Sequence, residues 1–419
     1  MLILIVIFTL GYILITLEHS VKITKSATSL FLGVALWVVY GLLNHGNAAV
    51  LLKEHHHLEG IAELVLFLLG AMTIVELIAA HNGFKIITDF IQTKSKRVLL
   101  WSVGFLTFFL SAFLDNVTTT IVMVKLLHKI LESRTDRLMF CGLVIIAANA
   151  GGAWTPIGDI TTTMLWIGGQ ITPINIMGAL FIPSLVSILI PMAIMSFFVK
   201  GHFEPFHLTQ SQQPAPYYKL IFMLGTLSLV SVPVFKTVTH FPPYMGMMFG
   251  LSILWIATEI LHTVAERHHL KVGHALARID GPTILFIIGI LLSVSALESS
   301  GILHHVALWF DDNIPLKEVS IPIFGGISAI IDNIPLMAAV MGMYDLNLYP
   351  TDHKIWELLA FAVGTGGSML IIGSSSGVVA MGIEKIDFFW YLRKITWIAA
   401  LGYIGGIITY LWLYPNPAF

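Results

Sequence analysis

Apolar residues run along this chain in blocks of the length a helix needs to cross a bilayer, about 20 residues. Such blocks fall at roughly 1–17, 28–43, 61–80, 138–167, 176–199, 220–236, 244–262, 282–300, 355–382 and 395–412. Two further apolar stretches, about 98–127 and 319–345, carry Asp-Asn near their middle. Each is either one long span or a helical hairpin that enters the membrane and returns. Met1–Leu17 has no basic start and no small-residue cleavage site, so it predicts a retained helix and not a signal peptide.

The positions of Lys and Arg decide between the two. With both hairpins returning and the N-terminus outside, 18 of the 22 Lys and Arg fall on the cytoplasmic side. Only Lys53, Lys236, Lys317 and Lys354 stay outside. Cytoplasmic enrichment of this kind sets membrane orientation. If either hairpin crossed, every later loop would change side and the bias would vanish. Both termini are therefore predicted outside.

The chain also repeats itself. Ser111-Ala112-Phe113-Leu114-Asp115-Asn116-Val117 is followed by Asn149-Ala150-Gly151-Gly152-Ala153-Trp154-Thr155-Pro156-Ile157-Gly158-Asp159. Ser328-Ala329-Ile330-Ile331-Asp332-Asn333-Ile334 is followed by Gly364-Thr365-Gly366-Gly367-Ser368 and Ile371-Ile372-Gly373-Ser374. The offset is 217 from Asp115 to Asp332 and 215 from Gly151 to Gly366. Leu66–Gly70 matches Leu285–Gly289 at 219. The first half starts outside and the second inside, so the halves are inverted repeats, an architecture of secondary transporters. The expected fold is an all-α integral membrane protein of two inverted five-span units, each with a re-entrant helical hairpin and a broken helix. The first unit is residues 1–199 and the second 217–419, joined by a polar, Gln/Pro-containing linker at 200–216.

Composition agrees. The chain is 57% hydrophobic and 11% charged, less than half the charge of a soluble domain. Its net charge of −2 and the lack of a basic stripe give no support for nucleic acid. The single cysteine, Cys141, excludes an internal disulfide.

The chemistry lies in the repeated motif. Asp115, Asp159 and Asp332 sit deep in apolar sequence, where a carboxylate costs several kcal/mol. Asp-Asn suits a cap between two half-helices. Pairing with Lys or Arg fits less well, because none lies near the middle of a span. Gly151-Gly152 with Pro156, and Gly366-Gly367 with Gly373, cannot hold a continuous helix. Such breaks are tolerated at membrane depth only where protein or water satisfies the freed backbone. Freed carbonyls join the side chains of Asp115, Asn116 and Asn149 from one half, and of Asp332, Asn333 and Thr365 from the other. Thr161, Thr162, Ser374 and Ser376 add hydroxyls. An all-oxygen site of this kind suits Na⁺ or Li⁺, not a soft metal. The same carboxylates carry protons, and competition between Na⁺ and H⁺ for one alternating cavity is sufficient for antiport. Two protons exchanged for one Na⁺ would move net charge.

At these residues the chain resembles the NhaD-type sodium/proton antiporters of the ion transporter superfamily. Leu-Asp-Asn-Val-Thr-Thr-Thr within Ser111–Met123, and the segment Asn149–Trp166, carry the resemblance, which extends over essentially the whole chain. It implies a homodimer in a bacterial inner membrane, in which a transport domain moves against a scaffold in an elevator motion. It implies transported Na⁺, Li⁺ and H⁺ and no cofactor. Dicarboxylate carriers of the superfamily have Ser-Asn-Thr at the hairpin tips. Here Asp115-Asn116-Val117 and Asp332-Asn333-Ile334 put negative charge there, against an anionic substrate. The second broken helix has Ser374 where the first has Asp159, so the halves are not equivalent and either could hold the main cation site.

The remaining features carry weaker readings. Glu63 and Glu298 lie near span ends and suit an interfacial role. Glu76, about a turn from its span end, is a candidate proton relay or pH-sensing group. His55-His56-His57 and His268-His269 fall in loops, where they are solvated, sense pH or bind metal adventitiously. Gly373-Ser374-Ser375-Ser376-Gly377 matches a nucleophile elbow but lacks the preceding strand. The competing functions are an anion carrier (dicarboxylate or oxyanion) of the same fold, and an intramembrane hydrolase or receptor.

Overall fold

The computed structural model describes residues 1–16, 18–43, 57–88, 93, 95–202, 215–262 and 270–415. Among them there is no β-strand. Eight helices among the described residues are long and apolar enough to cross a membrane. The protein is thus an all-α, multi-pass membrane protein. Most of the expected linker, 203–214, lies outside the described residues.

The first half contributes α1 (Leu2–Thr16), α2 (Lys25–Leu43), α3 (His57–Ala80), α4 (Lys96–Ser111), α5 (Asn116–Ile130), α6 (Arg134–Ala153), α7 (Ile160–Ile167) and α8 (Pro173–Phe198). The second contributes α9 (Tyr218–Thr239), α10 (Pro243–Leu261), α11 (Gly281–Ser299), α12 (Ile302–Asn313), α13 (Lys317–Ser328), α14 (Asn333–Met343), α15 (Lys354–Gly366), α16 (Ser375–Glu384), α17 (Phe388–Lys394) and α18 (Thr396–Leu413). Each Asp-Asn stretch is a helix–turn–helix, and each Gly-Gly stretch is a broken helix. Among the described residues five helices were not foreseen: α12, α17 and the short segments Glu18–Val21, Lys85–Thr88 and Val272–Leu276. All are too short to separate from loop by pattern. Another difference matters more. The second span starts at Lys25, not 28, which brings a lysine into its first turn.

Packing sorts the helices into two bodies. α1, α2, α3, α9, α10, α11 and α12 pack among themselves, and α4–α8 pack with α13–α18. The main contacts across the seam are α14 on α11 and α12, and α7 on α3. The second body is built on the two broken helices. From Phe140 to Ala153 every residue of α6 is buried, and so is every residue of α15 from Ile355 to Gly366.

The repeat recurs in three dimensions. A Cβ on Gly151 would run into the Phe108 carbonyl, and one on Gly366 into the Gly325 carbonyl. The Ser111 hydroxyl donates to the Ala148 carbonyl at 2.6 Å, and that of Ser328 to the Val363 carbonyl at 2.9 Å. The halves also exchange partners. α5 packs on α16 while α14 packs on α7, and α2 packs on α11 while α10 packs on α3.

Candidate functional site

Each half presents two helix N-termini toward the middle of the second body, and each is headed by one of the residues singled out above. Asp115 caps α5, Asp159 caps α7, Asp332 precedes α14 and Ser374 caps α16. The positive ends of helices stabilise carboxylates placed there. Asp159, which is buried, and Asp115 and Asp332, which are half-buried, can therefore share one region.

They do not play equal parts. Asp159 is 1% exposed and is the hub. Its Oδ1 accepts from the Thr161 amide at 3.0 Å. Its Oδ2 accepts from Asn116 Nδ2 at 2.8 Å and from Asn333 Nδ2 at 3.5 Å. Asn116 also donates to Asn149 Oδ1 at 3.1 Å. Asn149 Nδ2 donates in turn to Ser374 Oγ at 2.9 Å and Ser368 Oγ at 3.0 Å. One buried network thus ties both Asp-Asn turns and both Gly-Gly breaks to a single carboxylate. Asp115 and Asp332 are close enough for their charges to act on it.

Asp115 faces its own helix. Its Oδ1 accepts from the Thr118 amide at 2.8 Å and its Oδ2 from the Thr118 hydroxyl at 2.5 Å. Asp332 makes no such bond. Its Oδ1 is buried without a hydrogen-bond partner, and its Oδ2 is 3.4 Å from Lys25 Nζ. This corrects the expectation that pairing with Lys or Arg fits the acids less well than capping. Lys25 was counted as a loop charge because its helix was expected to begin three residues later.

Other expected ligands divide. Thr162 is spent on backbone, donating to the Asp159 carbonyl at 2.9 Å. Thr365 likewise donates to the Phe361 carbonyl, one turn back in its own helix, at 2.5 Å. Glu76 lies away from the network, in an ion pair with Arg278 at 3.7 Å. Ser374 accepts from Asn149 and from the Gly377 amide at 3.2 Å, as a helix cap. His55, His56, His268 and His269 lie outside the described residues. Sequence reasoning missed Lys25 and Ser368. It also missed the pairing of Thr118 with Pro335 at the repeat offset of 217, which was visible in the sequence and explains why only one Asp caps.

Chemically, the region offers hard oxygens from carboxylates, amides and hydroxyls, with its negative charge balanced by helix N-termini and one lysine. That set suits a small cation and a proton in exchange.

Comparison with known proteins gives a consistent picture. The citrate transporter family matches residues 3–366. Sodium/proton antiporter 1 of Arabidopsis thaliana is 51% identical over 97% of this chain and 71% of its own length. Sodium/proton antiporter 2 of the same plant is 47% identical over 98% of this chain and 99% of its own length. The Na⁺/H⁺ antiporter NhaD of Alkalimonas amylolytica is 32% identical over 98% of this chain and 90% of its own length.

Proposed function

The chain belongs to the citrate transporter family and, within it, to the NhaD-type sodium/proton antiporters, and from that premise we propose that it exchanges Na⁺ for H⁺ across a membrane. It is a transporter and not an enzyme. The observation that carries the exchange is the buried Asp159 carboxylate, held by Asn116 and Asn333, one from each turn. A site built from both halves can be opened first to one side and then to the other. Na⁺ and H⁺ then compete for the same carboxylates, and Asp159, Asn116, Asn149 and Asn333 are its proposed core. Asp115, Thr161, Asp332 and Ser374 complete the proposed site.

The wider reading follows from the same features. The recurrent contacts and the charge bias support inverted repeats, 1–199 and 217–419, with re-entrant hairpins and both termini outside. The two packed bodies support an elevator motion, in which α4–α8 and α13–α18 move past the other helices. Li⁺ as a second substrate, and a homodimer, rest on the resemblance. A bacterial inner membrane also rests on it, although two of the similar relatives are plant proteins.

An anion substrate would need positive charge at the hub. The side chains around Asp159 are instead amides and hydroxyls, and Lys25 is engaged by Asp332. The test is dequenching of a pH-reporting dye in everted vesicles or proteoliposomes on adding NaCl, LiCl, KCl or citrate. Dequenching by Na⁺ that Asp159→Asn abolishes is expected. Uptake of citrate with no response to any cation would overturn the proposal.

A further inference from the structure

The Lys25–Asp332 pair joins the two bodies. Lys25 opens α2, which is bound closely to α11: a Cβ on Gly33 would meet the Gly289 carbonyl at 2.6 Å, and one on Gly289 the backbone of Ser29. Its ammonium lies over the Phe286 ring of α11, 4.7 Å from the centroid. Its own amide donates to Glu18 Oε1 at 3.0 Å. Lys25 is thus anchored on one body at three points and reaches across the seam to the turn that begins α14 on the other.

The bond it makes there is loose. At 3.4 Å it is well beyond the 2.7–2.9 Å of a strong charge-assisted hydrogen bond. It satisfies one oxygen of Asp332 and leaves Oδ1 without a donor. Pro335 keeps Asp332 in this position. The residue at the same place in the first half, Thr118, offers an amide and a hydroxyl, both of which Asp115 uses. Pro335 has neither, so the Asp332 carboxylate cannot cap its helix in the same way. It is left turned toward whatever cation is at hand. An ammonium on a tether and a free Na⁺ carry the same charge and compete for the same oxygens.

We propose that Lys25 is a tethered competitor for the transported cation: its ammonium neutralises Asp332 and ties α13–α14 to the α2–α11 side of the seam until Na⁺ takes its place. This rests on the reading of Asp332 as an ion ligand. Loading the site then frees the seam, and an unloaded carrier stays latched, which limits movement without cargo. Lys25 is a positioning residue here, acting on transport through Asp332.

The test uses the full chain in proteoliposomes, comparing wild type with Lys25→Met, Lys25→Arg and Asp332→Asn. Lys25→Met removes the competitor, so the KM for Na⁺ is expected to fall about three- to tenfold with no proportional fall in maximal rate. Lys25→Arg, whose forked guanidinium pairs more firmly with carboxylate, is expected to raise KM above wild type, and it serves if the methionine variant fails to fold. Hydrogen exchange supplies an independent readout. Na⁺ should speed exchange at residues 25–35 and 328–340 in wild type and leave it unchanged in Lys25→Met. A KM that is unchanged or raised in Lys25→Met, with Asp332→Asn inactive, would overturn the latch alone. Asp332→Asn with wild-type exchange and KM would overturn the Asp332 reading on which the latch depends.

Discussion

The two Asp-Asn turns have the same four-residue geometry and opposite electrostatic fates. In the first, Asp115 is absorbed by the helix it begins, with both oxygens on Thr118. In the second, Pro335 withholds those donors and Asp332 pairs across the seam with Lys25. The breaks differ in the same way. Asp159 of the first is the carboxylate on which the network converges, while Ser374 of the second only accepts from Asn149 and caps α16. The lesson is that duplication preserves backbone approach and lets charge diverge. The contacts that must be identical for helices to cross are made by backbone and glycine. The contacts that set chemistry are made by side chains that one substitution redirects.

That asymmetry is breakable, and the largest effect should come from Asp159. Asp159→Asn is expected to reduce Na⁺-driven dye dequenching to background, because the network then loses its central charge. If Asp159→Asn kept wild-type exchange, the hub would have to be sought in the second half. Next come the shared backbone approaches. Gly151→Ala and Gly366→Ala each force a Cβ onto a carbonyl of the neighbouring helix, and each should destabilise the protein by about 2 kcal/mol or more. The midpoint of thermal unfolding in detergent measures this. Equal losses support the structural equivalence of the halves, and a loss in only one would refute it.

Asn149 tests the bridge between halves. Its counterpart at the repeat offset is Gly364, which has no side chain to donate. Asn149→Ala takes its amide donor from Ser368, leaves Ser374 with the Gly377 amide, removes one acceptor of Asn116, and should cost roughly 1–3 kcal/mol. Unfolding midpoints again decide, and Na⁺-dependent stabilisation should shrink along with them. The smallest effect is expected at the caps. Thr118→Val removes the hydroxyl bond to Asp115 for about 1 kcal/mol. Pro335→Thr should shift stability by less than about 1 kcal/mol, the new cap being offset by the lost rigidity of proline. Its mark should appear instead in the KM for Na⁺, as Asp332 turns from Lys25 toward its own helix. An unchanged KM would separate the cap from the ion pair.

Much of this could be read in advance. The spans, the two turns and the two breaks follow from apolar run length, Asp-Asn and Gly-Gly, because lipid forbids unsatisfied backbone and leaves helices as the only local solution. The inclusion of Asp159, Asn116, Asn149 and Asn333 among the candidates also came from local pattern. α12 and α17 escaped because a short helix with polar residues among apolar ones has the composition of a loop.

Alone, the sequence determined a helical, membrane-spanning chain with a repeated motif as its candidate site, since hydropathy, helix breaking and capping act over a few residues. Only the tertiary structure decided how the acids divide the work: Asp159 at the centre, Asp115 on its own cap and Asp332 on Lys25, which is 307 positions away in the chain. Electrostatics acts through space at a few ångströms, and which charges come that close is decided by how α2, α11 and α14 pack.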